Sequence, residues 1–170
     1  SQPNRSWHGA GMAMDIGLSN LRFGDGLTGD AALDRLWDIA APYGFTPIIR
    51  EPRMTISEAW HFDHMGPLRA VRDLFVAHKE EGDEYRSAAG IAAEVGCVLL
   101  GTHSGVLQPE RTVQARLLLE GVFVGLPDGK IGAKTRAGLA EFGIKVIGTT
   151  PASEILTAMD EQQIGFAKMR

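Results

Sequence analysis

Four side chains in two short stretches are of the types that build a hydrolytic metal site. In Ser6-Trp7-His8-Gly9-Ala10-Gly11-Met12-Ala13-Met14-Asp15 a histidine and an aspartate stand seven residues apart, with glycines between them that let the backbone turn. Glu58-Ala59-Trp60-His61 places a carboxylate three residues ahead of a second histidine. Imidazole nitrogen and carboxylate oxygen bind zinc at about 2.0–2.2 Å, and a catalytic zinc keeps three protein ligands and one open position. His8, Asp15 and His61 supply the three ligands, one Zn2+ per chain, and Glu58 remains as the general base. Zinc lowers the pKa of a bound water to about 7, and a nearby carboxylate can take its proton during attack on a carbonyl and return it to the leaving amine. An aspartate in place of a third histidine leaves less positive charge at the site, which puts more weight on that base.

Each of these residues has a plain explanation when taken singly. His8 can be a solvated surface residue, Asp15 a cap or turn residue, Glu58 a surface acid, and His61, between Trp60 and Phe62, a satisfied core histidine. Four ligand-type residues gathered in two short motifs are harder to assign to packing. Asp63 and His64 follow closely. Side chains alternate faces along a strand, so a strand continuing past Phe62 puts Asp63 on the face of His61 and turns His64 away. Asp63 is therefore expected to orient His61 from behind the metal, while His64 has no assigned role.

The elements that must position these groups are short and mixed. Met12–Ile16 suits a strand, and Ala32, Leu33, Leu36, Ile39 and Ala40 recur at helical spacing over 31–41, with Asp30 as the expected N-cap. Pro42 and Gly44 stop that helix. Phe45–Ile49 reads as a strand placed at a sheet edge by Pro47, and Trp60–Phe62 as another. From Pro67 onward the pattern is helical: Leu68–His78, Tyr85–Leu100, Glu110–Leu119, Lys134–Phe142 and Ser153–Met159, mostly separated by Gly or Pro. The fold class expected is α+β, a small antiparallel-sheet domain over residues 1–80 followed by a small three-helix module over 85–165, with the boundary in the charged run Lys79–Glu84.

Composition narrows the partners. The chain has 170 residues, a formal net charge of -4 and a pI near 5.7, so it lacks the basic footprint that neutralises phosphates, and nucleic acid is not an expected partner. No apolar run approaches the roughly 20 residues needed to span a bilayer. Cys97 is the single cysteine, which rules out an intrachain disulfide and leaves metal binding to nitrogen and oxygen donors. No charged segment followed by an apolar one opens the sequence, so a signal peptide is expected to be absent or already removed.

The string Ser-x-His-x-x-Gly-x-Ala-x-Asp, filled by Ser6, His8, Gly11, Ala13 and Asp15, together with Glu-x-Trp-His, filled by Glu58, Trp60 and His61, resembles the signature of the zinc D-Ala-D-Ala carboxypeptidase and dipeptidase family. That family includes phage L-Ala-D-Glu endolysins. The resemblance covers roughly residues 1–66. It implies one zinc held by the two histidines and the aspartate, the glutamate as base, and peptidoglycan stem peptides or their precursors as substrate; Ser6 and Trp60, which stand in the same motifs, are expected as substrate contacts. Family members carry helices and an arginine ahead of the Ser-x-His motif; here the motif begins at Ser6, so the N-terminal part of the domain is expected to be missing.

A second pattern runs from Val113-Gln114 through Leu117, Leu118, Gly121, Gly125, Asp128-Gly129, Gly132, Thr135 and Leu139 to Phe142. By itself it describes a helix, a tight turn at Asp128-Gly129 and another helix. The segment Gly125-Leu-Pro-Asp-Gly-Lys-Ile-Gly-Ala-Lys-Thr is similar to the three-helix peptidoglycan-binding module attached to many wall hydrolases, over roughly Ala88 to Met159. The two resemblances imply a zinc metallopeptidase acting on peptidoglycan, as a D,D-carboxypeptidase or an L-Ala-D-Glu endopeptidase. Its expected location is extracytoplasmic, in periplasm or cell wall, or that of a phage-associated lysin. The alternative is a non-catalytic peptidoglycan-binding or structural envelope or phage protein with a truncated peptidase fold.

Overall fold

The computed structural model describes residues 7–47, 51–56, 58–78, 87–101 and 108–165. Secondary structure is mixed, a small antiparallel three-stranded sheet and six α-helices among the described residues, and the class is α+β. The chain forms two compact units, Met12–Gly66 in one and Ser1–Gly11 with Pro67–Arg170 in the other.

In the first unit, strands β1 (Ala13–Asp15), β2 (Phe45–Pro47) and β3 (His61–His64) form a sheet in the order β1-β3-β2. Pro47 thus lies on an edge strand, where its missing N–H breaks no ladder. Helix α1 (Gly29–Ala40) covers one face: its Trp37 ring stacks on Phe62 at 4.0 Å and 12°. Leu18, Leu33 and Ala59 are buried beside it, with Ile16, Leu21, Leu36, Trp37 and Met54 packed around them. The helix ends in a 3-10 turn, Ala41–Tyr43, closed by Gly44 at φ 87, a left-handed conformation that glycine adopts without a Cβ clash. Asp30 is not the N-cap. Thr28 holds that position in extended backbone, and the Asp30 carboxylate instead accepts the backbone N–H of Met54 at 2.7 Å.

The second unit is helical. Helix α2 (Leu68–Ala77) buries Leu68, Val71 and Phe75, one face at i, i+3 and i+7 spacing. Helix α3 (Ala88–Leu99) is buried continuously from Ile91 to Val98, and α4 (Pro109–Leu119) from Val113 to Leu119, so these two form the core. Helices α5 (Ala133–Glu141) and α6 (Ala152–Glu161) pack on α4. Two cations on α4 are matched by acids: half-buried Arg111 faces buried Glu94 of α3 at 3.6 Å, and buried Arg116 meets Asp160 of α6 at 2.6 Å. Gln114, 2% exposed, holds the turn after α4. Its amide nitrogen donates to Asp128 Oδ1 at 2.9 Å and to the Lys130 carbonyl at 3.1 Å, while its oxygen accepts the Gly129 N–H at 2.8 Å.

The division between the units differs from the one the charge pattern suggests. The Lys79–Glu84 run lies outside the described residues, and the compact units part at Gly66 and Pro67. Helix α2 packs on α3 and α4, with Phe75 edge-on to Phe123 at 5.2 Å, so it belongs with the later helices. Among the described residues of 85–165 there are four helices, α3 to α6. Among the described residues no helix is long and apolar enough to cross a membrane.

Candidate metal centre

The register of the sheet brings two of the predicted ligands together. Asp15 of β1 stands directly opposite His61 of β3, and Ala13 opposite Asp63. Directly opposed residues of an antiparallel pair project from the same face, so Asp15, His61 and Asp63 share one side and Phe62 the other. The ring of His61 lies between the two carboxylates, with Nδ1 3.0 Å from Asp15 Oδ1 and Nε2 2.7 Å from Asp63 Oδ1. His61 and Asp63 are buried, at 9% and 4% exposure, whereas the Asp15 side chain is 51% exposed.

His8 lies in a tight turn, residues 8–11, in which the Gly11 N–H donates to the His8 carbonyl at 3.0 Å. Gly11 has φ 67, where a side chain would be strained. His8, Asp15 and His61 each offer a ligand atom, and those atoms lie within 4.8 Å of one another; His8 and Asp15 are exposed and His61 buried. These three side chains could hold a metal ion. Tetrahedral zinc with bonds of about 2.0–2.2 Å places its ligand atoms about 3.3–3.6 Å apart. The ligand-atom distance between Asp15 and His61, 3.0 Å, is a little shorter than that, and the set offers two nitrogens and one carboxylate oxygen as donors. With Nδ1 directed toward Asp15, a metal bound through that nitrogen would leave Nε2–H to donate to Asp63, an arrangement that would set the tautomer and the ring plane of a ligating histidine.

Glu58 stands three residues before β3, and its carbonyl accepts the His61 N–H at 3.1 Å. Its carboxylate is not one of the three groups that close on one another. Its backbone has φ 70, an unusual value for a residue with a side chain, which the surrounding turn must impose. Trp60 is 38% exposed, lies edge-on to the His61 ring at 6.1 Å, and continues the sheet by accepting the Ile16 N–H at 2.9 Å through its carbonyl. His64 is on the opposite face of β3, with its ring 5.0 Å from Phe45. The ring fits because Gly44 and Gly66 carry no Cβ: one placed there would lie 3.3 and 3.2 Å from it. Ser6 lies outside the described residues. The left-handed backbone of Glu58 has no signature in residue type, since nothing about Ile-Ser-Glu-Ala demands it.

Comparison with protein-family models, with curated proteins and with solved structures gives no match to this chain.

Proposed function

We propose that the protein is a zinc-dependent peptidase that hydrolyses peptide bonds in peptidoglycan stem peptides. The observation that carries this is the convergence of His8, Asp15 and His61, with Asp63 behind His61, at the residues of the two sequence motifs. His8, Asp15 and His61 would hold the ion, which supplies Lewis-acid activation of water and of the scissile carbonyl when bound. Asp63 keeps the Nε2 proton of His61 engaged, so that Nδ1 presents its lone pair. Glu58 takes the proton of the attacking water and delivers it to the leaving amine. Trp60, exposed and edge-on to the His61 ring, offers a flat apolar wall to the substrate chain, and Ser6 is a further contact. The substrate class rests on the resemblance of the two motifs to wall-peptide carboxypeptidases and endolysins, and the same resemblance places the protein outside the cytoplasmic membrane or in a phage lysin. The helices from α3 onward would add affinity for the polymer by raising its local concentration at the site.

The test is to measure zinc stoichiometry and then to incubate purified cell wall with the protein, with and without a chelator, identifying released ends by mass spectrometry. Free D-Ala indicates a carboxypeptidase, and new L-Ala and D-Glu ends indicate an endopeptidase. Glu58→Gln should keep one zinc and lose release. Full release by that variant, or wild-type protein without stoichiometric zinc, would overturn the proposal, and zinc binding without release would favour a binding role.

A further inference from the structure

Helix α3 contains a glycine at its centre, Gly96, where helix propensity disfavours it and no turn requires it. Close packing does require it. A Cβ at Gly96 would lie 2.7 Å from the Cβ of Ala10 and 2.7 Å from Cδ1 of Leu68. The Leu68 methyl can turn away through a rotamer change, but the Ala10 Cβ is bonded to the backbone and moves only with it. Ala10 is fully buried and lies two residues after His8, inside the turn closed by the Gly11 N–H on the His8 carbonyl. The same turn meets the end of α3 at a second point, since a Cβ on Gly11 would be 3.1 Å from Leu100 Cδ1. The His8 turn is therefore seated on α3 by Ala10 against Gly96 and by Gly11 against Leu100.

We propose that Gly96 is a positioning residue for the metal centre, the bare point on α3 that sets the depth and orientation of the turn carrying His8. This rests on the zinc site proposed above. Non-bonded carbons settle at about 3.5–4.0 Å, so a methyl group at 96 pushes the turn by about 1 Å. Metal–ligand distances are held to about 0.2 Å, so that displacement is far larger than the site absorbs without re-aiming His8. Helix α3 is in this respect part of the apparatus that holds a ligand, and Gly96 acts through Ala10 without touching metal or substrate.

The test is zinc affinity of the full chain, by competition with a chromophoric chelator, supported by the visible spectrum of the cobalt-substituted protein. Gly96→Ala should bind zinc at least about tenfold more weakly, the scale of loss when a ligand's supporting contact is removed, and the cobalt spectrum should lose tetrahedral intensity. Ala10→Gly alone should weaken binding a few-fold. In the Gly96→Ala background it should restore affinity to its own single-variant level, because the obstructing methyl is gone. Gly138→Ala on α5, where a Cβ would lie 2.7 Å from Val122 Cγ1, is a crowded control away from the turn and should bind zinc like the wild type. Unchanged affinity in Gly96→Ala, failure of the double variant to recover, or an equal loss in Gly138→Ala would overturn the positioning role. If Gly96→Ala does not fold, unchanged affinity in Ala10→Gly overturns it instead. Wild-type protein that binds no zinc would overturn the metal site itself, an outcome distinct from all of these.

Discussion

Removing the Asp63 carboxylate is the most direct probe of how His61 is held. The His61 Nε2 to Asp63 Oδ1 separation is 2.7 Å and Asp63 is only 4% exposed, so little solvent competes for the bond. A hydrogen bond to a charged partner contributes about 1.5–3 kcal/mol net, and at about 1.4 kcal/mol per factor of ten this is an affinity change of about 10–100-fold. Supporting partners of metal ligands show losses of the same size. A metal bound through Nδ1 would draw electron density from the ring and make Nε2–H a better donor, so the bond would be stronger with metal than without, and its loss would fall on binding as well as on folding. Asp63→Ala is therefore expected to bind zinc about 10–100-fold more weakly in competition with a chromophoric chelator. Asp63→Asn, which keeps an acceptor oxygen but no charge, should lie between it and the wild type. His64→Ala, on the other face of β3, should leave zinc affinity near wild type. An Asp63→Ala variant that binds zinc as tightly as the wild type, or a His64→Ala variant that loses as much, would refute the orientation of His61 described above.

Other consequences concern the turns. Glu58 at φ 70 occupies a region that costs a residue with a Cβ about 1–2 kcal/mol, partly offset in glycine by its larger loss of chain entropy, so Glu58→Gly should raise stability to denaturant by about 0.5–1 kcal/mol while abolishing hydrolysis. A fall in stability would show instead that the carboxylate holds the turn. Gln114→Leu strands the Gly129 N–H and one acceptor site of Asp128, and should cost about 1–3 kcal/mol in urea unfolding. Burial raises the Asp128 pKa, but the Gln114 amide, the Lys130 backbone N–H and the Lys130 charge outweigh it and hold the carboxyl below 3.8. The resulting stability is fully present above pH 3.8 and is lost as pH falls through the lower, folded-state value. Asp128→Asn should flatten that acid limb of the stability profile, and an unchanged limb would remove Asp128 as its source.

Local pattern alone determined much of the secondary structure. The apolar spacing and the Gly and Pro punctuation placed α1, α2, α4, α5 and α6 within a few residues of where they lie, because helix periodicity and termination are set by neighbours three and four residues apart. The same applies to the pairing of His61 with Asp63, which follows from strand alternation over two residues. Asp30 has the residue type of a cap, but its partner, the Met54 N–H, is 24 residues away and lies outside any local pattern. The burial of Leu68, Val71 and Phe75 against later helices joins α2 to them, a relation between distant segments that local pattern does not carry. Only tertiary structure decides whether His8, Asp15 and His61 meet. Asp15 and His61 are 46 residues apart and share a face through the register of β1 on β3, where a slip of one residue would turn one of them to the opposite side. Residue types specify which donors a metal would find, but the shared face of Asp15 and His61 is a property of strand pairing and the seating of the His8 turn on α3 a property of helix packing, and both depend on contacts between segments distant in the chain.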